Sequence, residues 1–183
     1  MDHLEAIVKV NDCLNPKFIE RIISFTKTKA KIYLGVGMNG TTKRDQRNVK
    51  GHMLAKDSPT NIYYWNIIQS EITRLYQLYK AKFPIMHSTQ LNQIDLLKYG
   101  VGGKYNSHID STTHMFRTLS IIINLNNDYE GGDLVFSDQK SKPIHRLKLG
   151  AGDIVFFPSN FLYPHTIEPI TKGTRYSIVS WLV

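Results

Sequence analysis

Two histidines, an aspartate and an arginine are the residues of this chain whose types and order could do chemistry together. His108 and Asp110 are separated by one residue, His165 lies much later, and Arg175 follows it. Two imidazoles and one carboxylate are the protein ligands of the non-haem Fe(II) facial triad, which leaves coordination positions open. An arginine can grip a carboxylate through two parallel hydrogen bonds. The set predicts an oxidising metal site with a carboxylate-bearing cosubstrate beside it.

These residues need a fold that brings distant segments together. On a β-strand, positions i and i+2 point to the same face, so His108 and Asp110 can meet one ion if both lie on a strand. His165 must then come from another strand. A His-x-Asp pair alone arises easily by chance, and a surface salt bridge is the alternative for Arg175. The order and context of the motifs favour the metal site.

The two halves of the chain have different patterns. Up to about residue 90 the apolar spacing is helical, with helix starts at Asn15-Pro16 and Ser58-Pro59. Beyond it, short apolar or alternating segments are separated by turn signals such as Gly131-Gly132. The predicted strands are 93–99, 106–110, 118–125, 133–136, 144–147, 153–157, 164–167 and 175–182. Eight short strands with this punctuation favour a sandwich or jelly roll.

Composition limits the class of protein. A length of 183 residues, 42% of them hydrophobic, suits one domain, 1–183, with 1–90 as helical support and 91–183 as the jelly-roll core. No apolar run reaches the length of a membrane span and no secretory signal is visible, so a cytoplasmic location is expected. The single cysteine, Cys13, excludes an internal disulfide, a zinc ribbon and an iron–sulfur cluster.

The positive charge is unevenly distributed. The net charge is +8, and residues 27–50 carry seven basic residues against one acidic residue. Such a segment can attract nucleic acid or an acidic peptide, or it can be a solvated face. The solvated face is favoured because no nucleic-acid motif accompanies the charge. The glycine-rich stretch 35–44 lacks the ending of a phosphate loop and is interpreted as a flexible loop, which in an oxidising enzyme could become a lid over the substrate.

The motifs around the four residues resemble a known family, the Fe(II)- and 2-oxoglutarate-dependent dioxygenases, and within it the prolyl 4-hydroxylase-like branch. The motifs, in chain order, are Gly102-Gly-Lys-Tyr, Glu130-Gly-Gly-Asp-Leu-Val-Phe, Gly152-Asp-Ile-Val-Phe-Phe and Gly173-Thr-Arg-Tyr-Ser. The resemblance is dense from 91 to 183 and looser before it. It implies an α+β protein with a double-stranded β-helix (jelly-roll) core and an N-terminal layer of supporting helices.

The resemblance also implies roles for the chemical residues. His108, Asp110 and His165 become the catalytic metal ligands, and Arg175 pairs with the 5-carboxylate of 2-oxoglutarate. Tyr99 is a further cosubstrate-pocket residue. The implied cofactors are Fe(II), 2-oxoglutarate and dioxygen, with ascorbate as a reductant.

Weaker implications follow for other side chains. Tyr105 is a second candidate for the cosubstrate pocket, and Arg44 and Arg47 are candidates for substrate contacts. Ile121 and Ile123 are expected to line the dry interior of the barrel.

The implied reaction is hydroxylation of a C–H bond, with a peptide or protein proline as the favoured substrate. One alternative is an oxidative nucleic-acid demethylase of the same superfamily, but position 181 is tryptophan where that branch has a second arginine. The other alternative is a jelly-roll module that binds metal without catalysis. No membrane partner is expected, and nucleic acid is disfavoured.

Overall fold

The computed structural model describes residues 3–35, 41–87 and 90–183. Its helices are a 3₁₀ helix (His3–Ala6), α1 (Pro16–Lys29) and α2 (Pro59–Lys82). Its strands are β1 (Val8–Val10), β2 (Ile32–Tyr33), β3 (Arg47–Asn48), β4 (Lys50–Met53), β5 (Leu91–Tyr99), β6 (Lys104–His108), β7 (Leu119–Asn124), β8 (Glu130–Gly131), β9 (Leu134–Ser137), β10 (Pro143–Leu147), β11 (Ile154–Pro158), β12 (His165–Ile167), β13 (Ile170–Lys172) and β14 (Arg175–Leu182).

Both α-helices begin where the sequence predicts. The Asn15 side chain accepts hydrogen bonds from two backbone N–H groups of the first turn of α1, and the Ser58 hydroxyl accepts one at the start of α2. A proline follows each cap, where its missing N–H costs nothing. Within the described residues, neither helix combines the length and apolar character that a membrane span requires.

Two antiparallel sheets form the body of the protein. The larger has the order β1-β11-β7-β14-β5-β4-β2 and the smaller has the order β10-β9-β12-β6-β3. One group of buried apolar side chains, including Leu134, Phe136 and Phe157, fills the space between them. The predicted jelly-roll core with supporting helices is confirmed.

The first half of the chain contributes more than helices. Strands β1, β2 and β4 extend the larger sheet, and β3 extends the smaller one. The sequence prediction missed all four because strands of two to four residues are too short to display an alternating pattern. Of the predicted lid, residues 36–40 lie outside the described residues.

The larger sheet has a second apolar layer on its other face, where α1 and α2 pack. Ile121 and Ile123 of β7 belong to this helix-facing core, and Ile122 points into the barrel. The expectation that Ile121 and Ile123 line the barrel was therefore wrong. Because residues 121–123 are all isoleucine, the sequence shows no alternation that could decide which face is which.

Replacing Ile123, which is 1% exposed in the helix-facing core, should cost substantial stability. Ile123→Ala is expected to lower the free energy of unfolding by about 2–5 kcal/mol, because buried methyl groups are lost and a cavity remains. Leu78→Ala, on the solvent side of α2 with 55% exposure, should stay within about 0.5 kcal/mol. Urea unfolding of both variants checks this, and equal losses would contradict the burial of Ile123.

Candidate metal centre and adjoining cleft

The register between β6 and β12 places the two histidines side by side. His108, the last residue of β6, is directly opposite His165, the first residue of β12. Their ring centroids are 4.2 Å apart. The two histidines are 57 positions apart in the sequence, and antiparallel pairing within the smaller sheet makes them neighbours.

Asp110 reaches the histidines from a loop. Strand β6 ends at His108, so the expectation that both ligands lie on one strand was wrong. The Asp110 carboxylate is oriented by the Ser120 hydroxyl, which donates to Oδ2 at 2.6 Å. Its Oδ1 lies 3.5 Å from His108 Nε2, and its Oδ2 lies 3.7 Å from His165 Nε2. The ligand atoms of the three residues all lie within 4.8 Å of one another.

Backbone carbonyls fix the tautomer of both imidazoles. Nδ1 of His108 is 2.8 Å from the Asn106 carbonyl, and Nδ1 of His165 is 3.1 Å from the Tyr163 carbonyl. A carbonyl oxygen only accepts hydrogen bonds, so each Nδ1 carries the proton. In the neutral form of each ring, the Nε2 lone pair therefore faces the Asp110 carboxylate, which is the orientation that metal-binding histidines adopt.

Burial and charge keep these groups in the forms that bind cations. Burial lowers the pKa of His165 to about 4. The neighbouring His108 lowers that pKa further, whereas the negative charge of Asp110 raises it. Burial alone would raise the pKa of Asp110, but the two imidazoles and the Ser120 hydroxyl outweigh it and hold that pKa well below its usual range. At neutral pH the site presents a carboxylate and at least one neutral imidazole.

Arg175 is buried in the same cavity with its charge unpaired. It is 1% exposed and is the first residue of β14, opposite Tyr99 of β5. Its Nε donates to Asn124 Oδ1 at 3.0 Å, but its Nη2 has no hydrogen-bond partner among the described residues. Its guanidinium carbon lies 5.3 Å from the centre of the Tyr99 ring. An isolated buried charge is costly, so this position calls for an anion.

The Asn124 amide holds the arginine in place. Its nitrogen donates to the carbonyls of Asn126, Leu149 and Gly150, which fixes its oxygen toward Arg175. Tyr129 donates a second hydrogen bond to that oxygen at 3.2 Å. Arg175 is therefore positioned by a saturated hydrogen-bond network and not by an ion pair.

A larger cleft, ≈ 680 Å³, opens from the metal ligands toward the surface. Arg47 and Tyr105 border one side, with the Arg47 guanidinium carbon 4.6 Å from the Tyr105 ring centre. Arg117 and Trp181 border the other side, with the Arg117 guanidinium carbon 3.4 Å from the Trp181 ring centre. Tyr105 also stacks on His108, with 3.5 Å between ring centroids. The cleft thus gives access to the metal ligands between two arginine–aromatic pairs.

A family model matches the part of the chain that holds this arrangement. Residues 94–183, which contain all four predicted chemical residues, match the model of the 2OG-Fe(II) oxygenase superfamily. This part of the chain, just under half of its length, is therefore similar to the 2OG-Fe(II) oxygenase superfamily.

Curated relatives of the oxygenase domain carry a common name. A PKHD-type hydroxylase of Psychrobacter sp. is 42% identical over 94 residues, covering 46% of this chain and 35% of that protein. A PKHD-type hydroxylase of Aliarcobacter butzleri is 30% identical over 139 residues, covering 70% of this chain and 58% of that protein. The chain therefore spans about a third of the first relative and just over half of the second.

Solved structures share the fold along almost the whole chain. A prolyl hydroxylase from Trichoplax adhaerens, in complex with a peptide of hypoxia inducible factor, superposes with a TM-score of 0.78 at 17% identity. That match covers 99% of this chain and 86% of the other. A Pseudomonas putida prolyl-4-hydroxylase gives a TM-score of 0.74 at 16% identity and covers 99% and 95%. The helical layer thus belongs to the shared architecture.

The donor set fits the iron of a 2OG-Fe(II) oxygenase. Three groups that can donate electron pairs, the two imidazoles and the Asp110 carboxylate, converge on one another, and a bound cation would stabilise that arrangement. Two imidazoles and a carboxylate, with no thiolate, suit Fe(II). The unpaired Nη2 of Arg175 likewise fits a carboxylate of 2-oxoglutarate.

The cosubstrate cavity is narrow. It is bordered by Tyr99, Tyr105, Arg175 and the three metal ligands. Its free space, ≈ 30 Å³, suits water.

The predicted substrate-contact residues lie in different places. Arg47 borders the cleft, where its Nη1 donates to the Gly35 carbonyl at 2.8 Å. Arg44 lies over the Tyr33 ring and borders a separate basic cavity with Lys50. The structure therefore brings Arg47, but not Arg44, to the cleft.

Sequence reasoning did not single out several side chains of the site. Ser120, Asn124 and Arg117 gave no signal because their roles arise from contacts across strands. Trp181 also borders both the cavity and the cleft. His114, which lies close to Asp110 in the sequence, is exposed.

Proposed function

We propose that this chain is an Fe(II)- and 2-oxoglutarate-dependent dioxygenase that hydroxylates a C–H bond of a peptidyl proline. One observation carries the proposal: the three metal donors and the unpaired Nη2 of Arg175 border the same buried cavity. A facial set of donors with an anion-binding arginine nearby is what a metal-chelating dicarboxylate requires.

Each residue has a physical task in this proposal. His108, Asp110 and His165 hold the iron, and Ser120 keeps the Asp110 carboxylate aimed at it. Arg175 anchors the 5-carboxylate of the cosubstrate. Fe(II), 2-oxoglutarate and dioxygen, when bound, supply the oxidation that inserts one oxygen atom into a C–H bond and releases succinate and carbon dioxide.

The barrel residues around the site exclude water. Ile122, Leu97 and Ile167 border the cavity and are at most 6% exposed. An apolar lining strengthens the pairing between Arg175 and a carboxylate, because little solvent competes for either charge. The barrel therefore contributes positioning and exclusion of water, while the cofactors contribute the oxidising power.

A peptide substrate is supported by the shape of the cleft and by one structural relative. The cleft is open to the surface and bordered by aromatic and arginine side chains, which suit an extended peptide segment. The structure of the Trichoplax adhaerens prolyl hydroxylase, which has the same fold, contains a peptide fragment of hypoxia inducible factor. We extend that substrate class to this chain as part of the proposal.

A peptide panel tests the proposed reaction. Purified protein with Fe(II), 2-oxoglutarate and ascorbate, which keeps iron ferrous, is incubated with proline-containing peptides under air. The expected result is a mass gain of one oxygen on a proline, with succinate formed in equal amount. Peptides in which the proline is replaced by alanine are the matched control. Succinate formation without any oxidised proline would support the dioxygenase and exclude the prolyl substrate.

A further inference from the structure

The inward-facing side chains of strand β5 change from apolar to polar between the narrow cavity and the cleft. Successive inward-facing residues of β5 are Tyr99, Leu97, Asp95 and Gln93, because alternate residues of a strand share a face. Tyr99 and Leu97 border the narrow cavity, whereas Asp95 and Gln93 border only the cleft. The lining thus passes from cosubstrate contact to an aliphatic side chain and then to a carboxylate.

The register with β14 confirms the depth of this carboxylate. Asp95 is opposite Val179, two inward positions from the Arg175–Tyr99 pair and one from the Trp181–Gln93 pair at the mouth. Asp95 therefore lies along the path by which a substrate would approach the metal ligands. No part of the proposed metal or cosubstrate chemistry uses it.

Asp95 is buried without a charged partner. It is 6% exposed, and its two oxygens accept hydrogen bonds from the Gln93 amide nitrogen at 2.8 and 2.9 Å. A carboxylate has about four acceptor sites, so this single neutral donor leaves capacity unused. No ion pair in the described part of the chain includes it. Aspartates are seldom buried unless they are paired.

The nearby arginines make their hydrogen bonds to groups other than Asp95, although the Nε of each has no partner among the described residues. Arg47 donates to the Gly35 carbonyl and stacks on Tyr105. Arg117 stacks on Trp181 and donates to the Asp110 carbonyl at 3.5 Å. Burial raises the pKa of Asp95, against the Gln93 hydrogen bond and the attraction of both arginines. The Asp95 carboxylate is therefore incompletely stabilised and can accept further hydrogen bonds from a bound group.

We propose that Asp95 is a specificity-determining residue that binds a cationic nitrogen of the substrate, an ammonium or guanidinium group close to the C–H bond to be hydroxylated. This inference rests on the proposed function, because it assigns the substrate class of the same cleft. The cation would complete the unused acceptor sites of Asp95. Two sources share this chemistry: a basic side chain beside the target residue, or the free amino terminus of a short peptide or amino acid.

Matched peptides separate the charge from the shape of the substrate. In one set, each peptide carries a single lysine at one of the two positions before or the two positions after a proline. Its partner set carries norleucine at the same positions. A second pair is an alanine-proline-alanine amide with a free or an acetylated amino terminus. Binding to the protein loaded with Mn(II) and 2-oxoglutarate is measured by isothermal titration calorimetry. The variants are Asp95→Asn, Asp95→Glu and Glu20→Gln, the last removing one exposed negative charge on α1 as a control.

The expected result is that at least one cationic peptide binds wild-type protein at least about tenfold more tightly than its neutral partner. Asp95→Asn should reduce that ratio to within about threefold, and Glu20→Gln should preserve it. The pair that shows the preference identifies which source of cationic nitrogen the cleft accepts. Equal affinities in every pair, or a preference that Asp95→Asn retains, would overturn the proposal.

Two measurements distinguish failure of this inference from misfolding of a variant and from failure of the proposed function. Thermal melting shows whether Asp95→Asn is folded; if it is not, equal affinities in wild-type protein still overturn the proposal, and an altered preference in Asp95→Glu supports it. Succinate formation by the Fe(II)-loaded wild-type protein tests the proposed function itself. Succinate formation without any preference for cations would defeat the inference about Asp95 alone.

Discussion

His108→Ala and Asp110→Ala are each expected to abolish the Fe(II)-dependent conversion of 2-oxoglutarate to succinate. Either change removes one of three donor groups that lie within 4.8 Å of one another. The metal affinity should fall by more than about 100-fold, since even partners of metal ligands contribute about 10- to 100-fold. Calorimetric titration with Mn(II) measures the affinity, and succinate analysis measures the turnover.

The neighbouring histidine provides a matched control. His114 lies four positions after Asp110 and is exposed, so His114→Ala should leave metal affinity and turnover within about twofold. A triad variant that retained wild-type metal affinity would show that the ion binds elsewhere. Loss of activity in both His108→Ala and His114→Ala would assign the effect to disturbance of the loop.

Arg175→Ala is expected to weaken 2-oxoglutarate binding strongly while leaving the metal ligands intact. Truncating one partner of a buried charge pair costs about 2–5 kcal/mol, which corresponds to a 30-fold or larger rise in Kd. The physical reason is that Arg47, the other arginine that borders this cavity, already donates to the Gly35 carbonyl and stacks on Tyr105. Titration of the Mn(II)-loaded protein with 2-oxoglutarate gives the Kd.

Two other variants define the role of the guanidinium. Arg175→Lys keeps the charge but loses the planar fork, so its Kd should fall between those of wild-type protein and Arg175→Ala. Arg74→Ala, at an exposed arginine that pairs with Glu71, should bind 2-oxoglutarate normally. Unchanged affinity in Arg175→Ala would refute the assigned role.

The sequence predicted that His108, Asp110 and His165 come together, because their chemistry is visible in residue type and order. His-x-Asp, a later histidine and an arginine form a pattern that needs no knowledge of contacts. The fold class was also predictable, since turn residues separate short apolar segments. The position of Asp110 was predicted for the wrong reason: β6 ends at His108, and the Ser120 hydroxyl orients the carboxylate from a loop.

Features that depend on register could not be predicted. The all-isoleucine run in β7 hides which residues face the helices, so Ile121 and Ile123 were placed on the wrong face. Asp95 appears in the sequence as one polar residue in an apolar strand. Its importance follows from the pairing of β5 with β14, which places it beside the cleft.

The central claim is that His108, Asp110, His165 and Arg175 together hold a metal ion and 2-oxoglutarate. A crystal structure of the protein with Mn(II) and 2-oxoglutarate tests it most directly, because anomalous scattering locates the manganese. The account predicts one ion bound by the two histidines and Asp110, with the distal carboxylate of the cosubstrate paired to the Arg175 guanidinium. Manganese bound away from Asp110, or a cosubstrate carboxylate bound away from Arg175, would contradict it.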